Sequence, residues 1–92
     1  RYRFDLAFFS GNGIDASRGV SEISEEQAAL KEGALALAAR RVLLADSSKV
    51  GLRSRYFFQP VPGLDLWITD NEAAPADLRD FENRTEVVRA AV

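Results

Sequence analysis

The sequence has 92 residues, the size of one small domain, and its 47% hydrophobic and 28% charged residues are typical of a folded globular protein. Its 12 Lys and Arg against 14 Asp and Glu give a net charge of -2, which argues against a nucleic-acid-binding surface. The absence of Cys and His excludes disulfides, thiol catalysis, structural zinc and a histidine base.

The first quarter of the chain predicts one strand and one loop. Apolar residues alternate from Tyr2 to Phe8, which predicts a strand over 2–9. The glycines and asparagine of 10–13 then predict a tight turn. No hydrophobic period persists from 14 to 23, so this stretch is expected to be a loop.

A capping box predicts the start of the first helix. Ser24 is followed three residues later by Gln27, and the Ala- and Leu-rich segment after it extends the helix to Arg41. Because 33–39 contains no polar residue, this helix is expected to be buried on more than one side. The residues expected in the core are Leu30, Ala34 and Leu37.

The remainder predicts four strands and a second helix. The strands are expected at 42–45, 56–59, 64–69 and 85–90, and the helix at 76–82 with Pro75 near its first turn. This order is that of an α/β protein with a mainly parallel sheet and flanking helices. Two helices leave part of one sheet face uncovered, so cover from upstream residues or from a partner subunit is expected.

Polar residues follow three of the predicted strands. They are Asn12 with its flanking glycines, the segment 46–49, and Asp70. In open parallel sheets, ligands bind beyond the carboxyl ends of the strands. Lysine and hydroxyl groups suit a phosphate, and carboxylates and Asn suit sugar hydroxyls, so a site for a small polyhydroxylated anion is predicted. The plainer alternative is that these glycines form turns and these aspartates cap loop amides.

Several segments resemble the effector domain of DeoR-type bacterial transcription regulators. The most specific is 44–51, which contains Ala-Asp-Ser-Ser-Lys, and it is followed by 64–70 with its Ile-Thr-Asp ending. Segments 5–9, 13–15 and 86–90 extend the resemblance over essentially the whole chain. It implies a Rossmann-like fold in which residues 1–92 form a single domain, the second half of an effector domain within a longer protein.

The resemblance also implies a function. Such domains sense a phosphorylated sugar and form homo-oligomers, and a separate N-terminal helix-turn-helix domain, expected to be absent from this sequence, binds DNA. The resemblance further implies a cytoplasmic protein that contacts no membrane and needs no cofactor. Lys49 is then expected to bind the phosphate, and Asp46 to orient Lys49 or a sugar hydroxyl. The residues expected to contact the ligand are Asn12, Gly13, Asp15, Asp46, Ser48 and Lys49.

A sugar-phosphate isomerase is the alternative function, because the family shares its fold with ribose-5-phosphate isomerases and CoA transferases. Those isomerases carry acids where this sequence has Ser10, Gly13 and Ile14, and proton transfer needs a placed carboxylate. A domain that binds without catalysis is therefore favoured, and a purely structural oligomerisation module is the third interpretation. Gln27 departs from the regulators, many of which have Glu there, and it offers hydrogen bonds without charge.

Overall fold

Two sheets and two helices make up the structure, a computed structural model that describes residues 3–90. The elements in chain order are β1 (Ala7–Phe9), β2 (Gly13–Asp15), β3 (Gly19–Glu22), α1 (Glu25–Ala36), β4 (Arg41–Leu44), β5 (Tyr56–Gln59), β6 (Leu66–Asp70), α2 (Pro75–Glu82) and β7 (Glu86–Ala90). The parallel sheet has the order β1-β4-β6-β7, and the antiparallel sheet has the order β2-β3-β5. The chain is thus a mixed α/β fold.

The first strand is shorter than predicted, and the segment predicted as a loop is largely a β-hairpin. β1 begins at Ala7, preceded by an isolated bridge at Phe4, and the predicted start at Tyr2 lies outside the described residues. β2 and β3 pair with Ile14 opposite Val20, and Gly19 has a φ of +104°, which favours glycine. Every residue of β2 and β3 is buried, so the alternation that reveals a half-exposed strand is absent.

The first helix starts where it was predicted and ends early. The Ser24 hydroxyl oxygen accepts a hydrogen bond from the backbone N–H of Gln27 at 3.3 Å, so the predicted cap is confirmed. The helix ends at Ala36 and does not reach Arg41, which lies in β4. Arg41 nevertheless serves the helix terminus: its Nε donates to the carbonyl oxygen of Leu35 at 2.8 Å, which satisfies a group in the last turn.

The apolar face of α1 is largely exposed, so the prediction that this helix is buried on more than one side was wrong. Its buried residues are Ala28 and Leu35, whereas Leu30 is 68% exposed and Leu37, just after the helix, is 39% exposed. Leu30 borders an open groove of about 460 Å³ between α1 and β1. Within residues 3–90, neither helix is long and apolar enough to cross a bilayer.

The second half of the chain follows its predictions closely. β5 has the predicted bounds, although it joins the antiparallel sheet rather than the parallel one. β6 and β7 differ from the predicted segments by two residues or fewer at their ends. α2 begins at Pro75, the first-turn position that tolerates proline because its missing N–H would have no partner within the helix.

The core lies on one face of the parallel sheet. Its aligned row runs through Phe9, Leu43, Trp67 and Val87. Trp67 is fully buried, and its indole N–H donates to the carbonyl oxygen of Ala45 at 3.0 Å. Its ring meets Phe81 of α2 edge-on at 5.0 Å between centroids. Trp67 is therefore a core residue whose indole nitrogen is satisfied within the protein.

The opposite face of the parallel sheet carries exposed apolar side chains. Phe8 is 59% exposed, Leu44 44% and Val88 41%. Side chains alternate along a strand, so these three project away from the row that contains Leu43 and Trp67. This face agrees with the expectation that two helices leave part of the parallel sheet uncovered.

Candidate functional site

A segment that follows β4 lies against the β2–β3 hairpin and joins the two sheets. It comprises residues 50–55, and we call it the strap. At its start, Val50 forms an isolated parallel bridge with Ile14 of β2. Near its end, the backbone N–H of Ser54 donates to the hydroxyl oxygen of Ser21 on β3 at 2.9 Å. The strap therefore covers the hairpin face that the core does not, which explains why both strands are buried.

Gly13 permits this close approach of the strap. It lies in β2 rather than in the predicted tight turn, and it is buried. A Cβ at this position would lie 2.7 Å from the carbonyl carbon of Leu52, a distance that real Cβ atoms essentially never show. Asn12, half-buried, precedes it, and Lys49 immediately precedes the strap. Val50 bridges Ile14, so Lys49, which precedes Val50, and Asn12 and Gly13, which precede Ile14, lie on two segments that run side by side.

Asp15 joins the hairpin turn to the strap. Its carboxylate accepts hydrogen bonds from the Ser17 hydroxyl at 2.8 Å, the Arg18 backbone N–H at 2.8 Å and the Arg53 Nε at 3.0 Å. The Ser17 hydroxyl, helped by Arg18 and Arg53, lowers the pKa of Asp15 to about 2, against the opposing effect of burial. The carboxylate is occupied within the protein, and its contact with a sugar stays a prediction.

Acid is therefore expected to weaken the protein through Asp15. Because the folded pKa of about 2 lies below the ordinary value of 3.8, the stabilisation is complete above about pH 5 and is lost as pH falls towards 2. Since Arg53 is largely exposed and solvent screens its charge, we expect a loss of about 1 kcal/mol between pH 6 and pH 3. Urea unfolding of the wild type and of Asp15→Asn at both pH values isolates this contribution. Equal pH dependence in the two proteins would contradict it.

Asp46 and Ser48 satisfy each other at the carboxyl end of β4. Residues Ser47–Lys49 form a single 3-10 turn capped by Asp46, whose carboxylate accepts from the Ser48 backbone N–H at 2.9 Å. The Ser48 hydroxyl donates to the same carboxylate. Lys49 is half-buried, and within residues 3–90 its ammonium forms no ion pair. Lys49 is therefore a cation at this end of the sheet with charge to offer a ligand.

A cavity of about 520 Å³ opens beside this turn, and its lining is acidic. Asp46 and Ser48 line it together with Asp70, Glu72 and Asp77. Asp70 caps the loop, as the plainer interpretation predicted: the backbone N–H of Ser47 donates to it at 3.1 Å and lowers its pKa. Four carboxylates repel an anion, and Lys49 does not line this cavity, so the cavity itself does not favour a phosphate. Asn12, Gly13 and Asp15 do not line this cavity.

Sequence reasoning missed an ion pair beside the segment that follows β1. Lys31 of α1 donates both to the Glu22 carboxylate and, at 2.6 Å, to the carbonyl oxygen of Ser10. The pair could not be found because Glu22 lies in β3, a strand that was expected to be part of a loop. In residues 3–90, no group of three or more acidic side chains is arranged to hold a metal ion.

Comparison with known proteins gives a consistent result. A family model described as "DeoR C terminal sensor domain" matches residues 1–71. The HTH-type transcriptional regulator GlpR of Haloferax volcanii is 37% identical over 92 residues, which are 100% of this chain and 34% of that protein. The uncharacterized HTH-type transcriptional regulator YulB of Bacillus subtilis is 32% identical over 89 residues, or 97% of this chain and 34% of that protein.

A third relative is the putative aga operon transcriptional repressor of Escherichia coli O157:H7. It is 36% identical over 76 residues, which cover 83% of this chain and 28% of that protein. The chain thus spans about a third of the length of the curated relatives it matches.

Proposed function

The chain belongs to the DeoR C-terminal sensor domain family, and we propose that it binds a phosphorylated sugar as the effector of a transcription regulator, without turning it over. The observation that carries this proposal is Lys49, a half-buried cation without an ionic partner among residues 3–90. It follows β4 at the carboxyl end of the parallel sheet, where open α/β sheets bind ligands.

In the proposed binding mode, the residues divide into contacts and supports. Lys49 attracts the phosphate, and Asn12 and Ser48 bond to sugar hydroxyls. Gly13 contributes by admitting the strap, and Asp15 by holding that strap through Arg53. Asp46 orients the turn that carries Lys49 or accepts from a sugar hydroxyl. Asp15 is thus assigned a supporting role, because its carboxylate already accepts several hydrogen bonds.

The proposed regulation follows from linkage. The chain acts as the second half of a Rossmann-like effector domain in the cytoplasm, and a separate N-terminal helix-turn-helix domain contacts DNA. The relatives are all described as transcriptional regulators or repressors. A sugar phosphate changes DNA affinity only if it binds two arrangements of the protein unequally.

Thermal unfolding with a panel of sugar phosphates tests the proposal. A ligand at 100 times its dissociation constant adds about 2.7 kcal/mol, which for a domain of this size raises the melting temperature by roughly 10–20 °C. We expect such a rise with at least one sugar phosphate. Lys49→Ala is expected to weaken binding by about 10- to 100-fold, because a charge-assisted hydrogen bond to the phosphate is lost.

Two controls make this test specific. Arg79→Ala removes a positive charge from the exposed surface of α2, at a residue that is not assigned to the ligand site, and should leave binding unchanged. Incubation with aldose phosphates should yield no isomerised product, since Ser10, Gly13 and Ile14 stand where the isomerases have acids. Equal binding by wild type and Lys49→Ala would contradict the assigned phosphate contact, and turnover would favour the enzyme.

We also propose that the exposed sheet face mediates association between copies of this protein. Burial of Phe8, Leu44 and Val88 would remove apolar surface from water, at about 25 cal/mol per Å². Light scattering after size exclusion is expected to give the mass of a dimer or larger assembly, and Leu44→Glu should shift it towards the monomer. A wild-type monomer at high concentration would contradict this proposal.

A further inference from the structure

We propose that Lys31 and Glu22 form a positioning pair, which sets the conformation of residues 10–13 and thereby the affinity of the ligand site. This inference rests on the proposed function and deepens it, because residues 10–13 carry Asn12. The pair itself is visible in the geometry of three elements: the ammonium of Lys31 on α1 meets the Glu22 carboxylate on β3 and the Ser10 carbonyl after β1.

The charged side chains of Lys31 and Glu22 are largely buried. The side chains of Lys31 and Glu22 are 22% and 11% exposed, and the ammonium lies 5.6 Å from the centre of the Phe58 ring. Removing two charges from water is costly, and apolar replacement of such a pair is often neutral or stabilising. A role in fixing one conformation therefore accounts for the pair better than a role in stability.

Residues 10–12 need this support because they belong to neither sheet. Within the described residues, their ties are the Lys31 contact with the Ser10 carbonyl and a hydrogen bond from the Asn12 backbone N–H to the Ser21 carbonyl oxygen at 2.9 Å. β1 runs parallel to β4, so the segment after β1 and the turn that contains Lys49 leave the same end of the sheet. Loss of the Lys31 contact would free one side of the proposed ligand site.

The double variant Lys31→Met/Glu22→Leu tests this inference, since it leaves no unpaired charge behind. Its melting temperature is expected to stay near that of the wild type. Its affinity for the sugar phosphate should fall by about tenfold, the effect of one charge-assisted hydrogen bond. Exchange of the Asn12 amide hydrogen should accelerate by a similar factor, while that of the Leu35 amide in α1 stays unchanged.

Two further variants separate positioning from other effects. Lys31→Arg keeps the charge and hydrogen-bond donors and should retain both the affinity and the slow exchange of the Asn12 amide. Lys49→Ala should lower affinity with no change in that exchange. If the double variant keeps wild-type exchange, the inference is overturned. If the wild type binds no sugar phosphate, the proposed function fails, and amide exchange alone decides whether the pair positions this segment.

Discussion

Replacing Trp67 with Ala is expected to lower the free energy of unfolding by about 3–5 kcal/mol. The side chain is fully buried in the centre of the core row and packs edge-on against Phe81. Its removal leaves a large cavity between the parallel sheet and α2 and also leaves the Ala45 carbonyl without its indole donor. Small domains have about 5–15 kcal/mol of stability in total, so this variant should be close to unfolding.

Urea unfolding followed by circular dichroism measures this loss, because the variant has no tryptophan to report by fluorescence. Trp67→Phe is the matched control: it keeps an aromatic ring against Phe81 and loses mainly the hydrogen bond to Ala45. We expect it to lose about half as much, from a smaller cavity and one unsatisfied carbonyl. Equal stability of Trp67→Ala and the wild type would refute the assigned core.

Replacing Gly13 with Ala is expected to cost about 1–3 kcal/mol or more, because the new methyl group would collide with backbone rather than with a movable side chain. The nearest atoms belong to the carbonyl group of Leu52 in the strap. Relief requires the strap to move away from β2, which would stretch the contacts at Val50 and Arg53. For a domain of this size each kcal/mol lowers the melting temperature by roughly 4–8 °C.

Gly33→Ala is the matched control for this variant. Gly33 lies in α1 with no atom within 4 Å of an added Cβ, so the same change there should stabilise the protein by about 0.5–1 kcal/mol. Thermal unfolding of the two variants should therefore move the melting temperature in opposite directions. A wild-type melting temperature for Gly13→Ala would show that the strap does not rest on β2 in solution.

The sequence allowed prediction of those elements whose signals are local. Ser24 with Gln27 located the start of α1, and Pro75 located the start of α2. The strand that precedes Asp46 stood out as a continuous apolar run, and it is parallel to both of its neighbours. Each of these signals arises within a few residues, through capping, a fixed φ or a continuous run of apolar side chains.

The hairpin and the exposure of α1 could not be predicted, because both depend on distant segments. β2 and β3 are buried by the core on one side and by the strap on the other, which erases the alternating pattern. Leu30 has the residue type and spacing of a core position but borders an open groove. Periodicity reports which face is apolar and does not report whether another part of the protein covers it.

The same difference between local signals and contacts with distant segments applies to the candidate site. Asp46 and Lys49 were predicted at the end of a strand, and they lie in the turn that follows β4, while their contact with a ligand stays a prediction. Asp15 was predicted as a ligand contact, yet its carboxylate bonds to a residue of the strap far along the chain. The Lys31–Glu22 pair was invisible for the same reason, since it joins a helix to a strand that was expected to be a loop.

The pairing of the parallel sheet also determines how the chain must fold. Ala7 pairs with Arg41, and Leu66 pairs with Glu86, so each pair of neighbouring strands is joined through a long intervening segment. Within residues 3–90, β2 and β3 are the paired strands that a short turn connects, and this hairpin can form early. The sheet itself must wait for the closure of long loops, whose entropy slows folding, so this small domain is expected to fold more slowly than a helical protein of equal length.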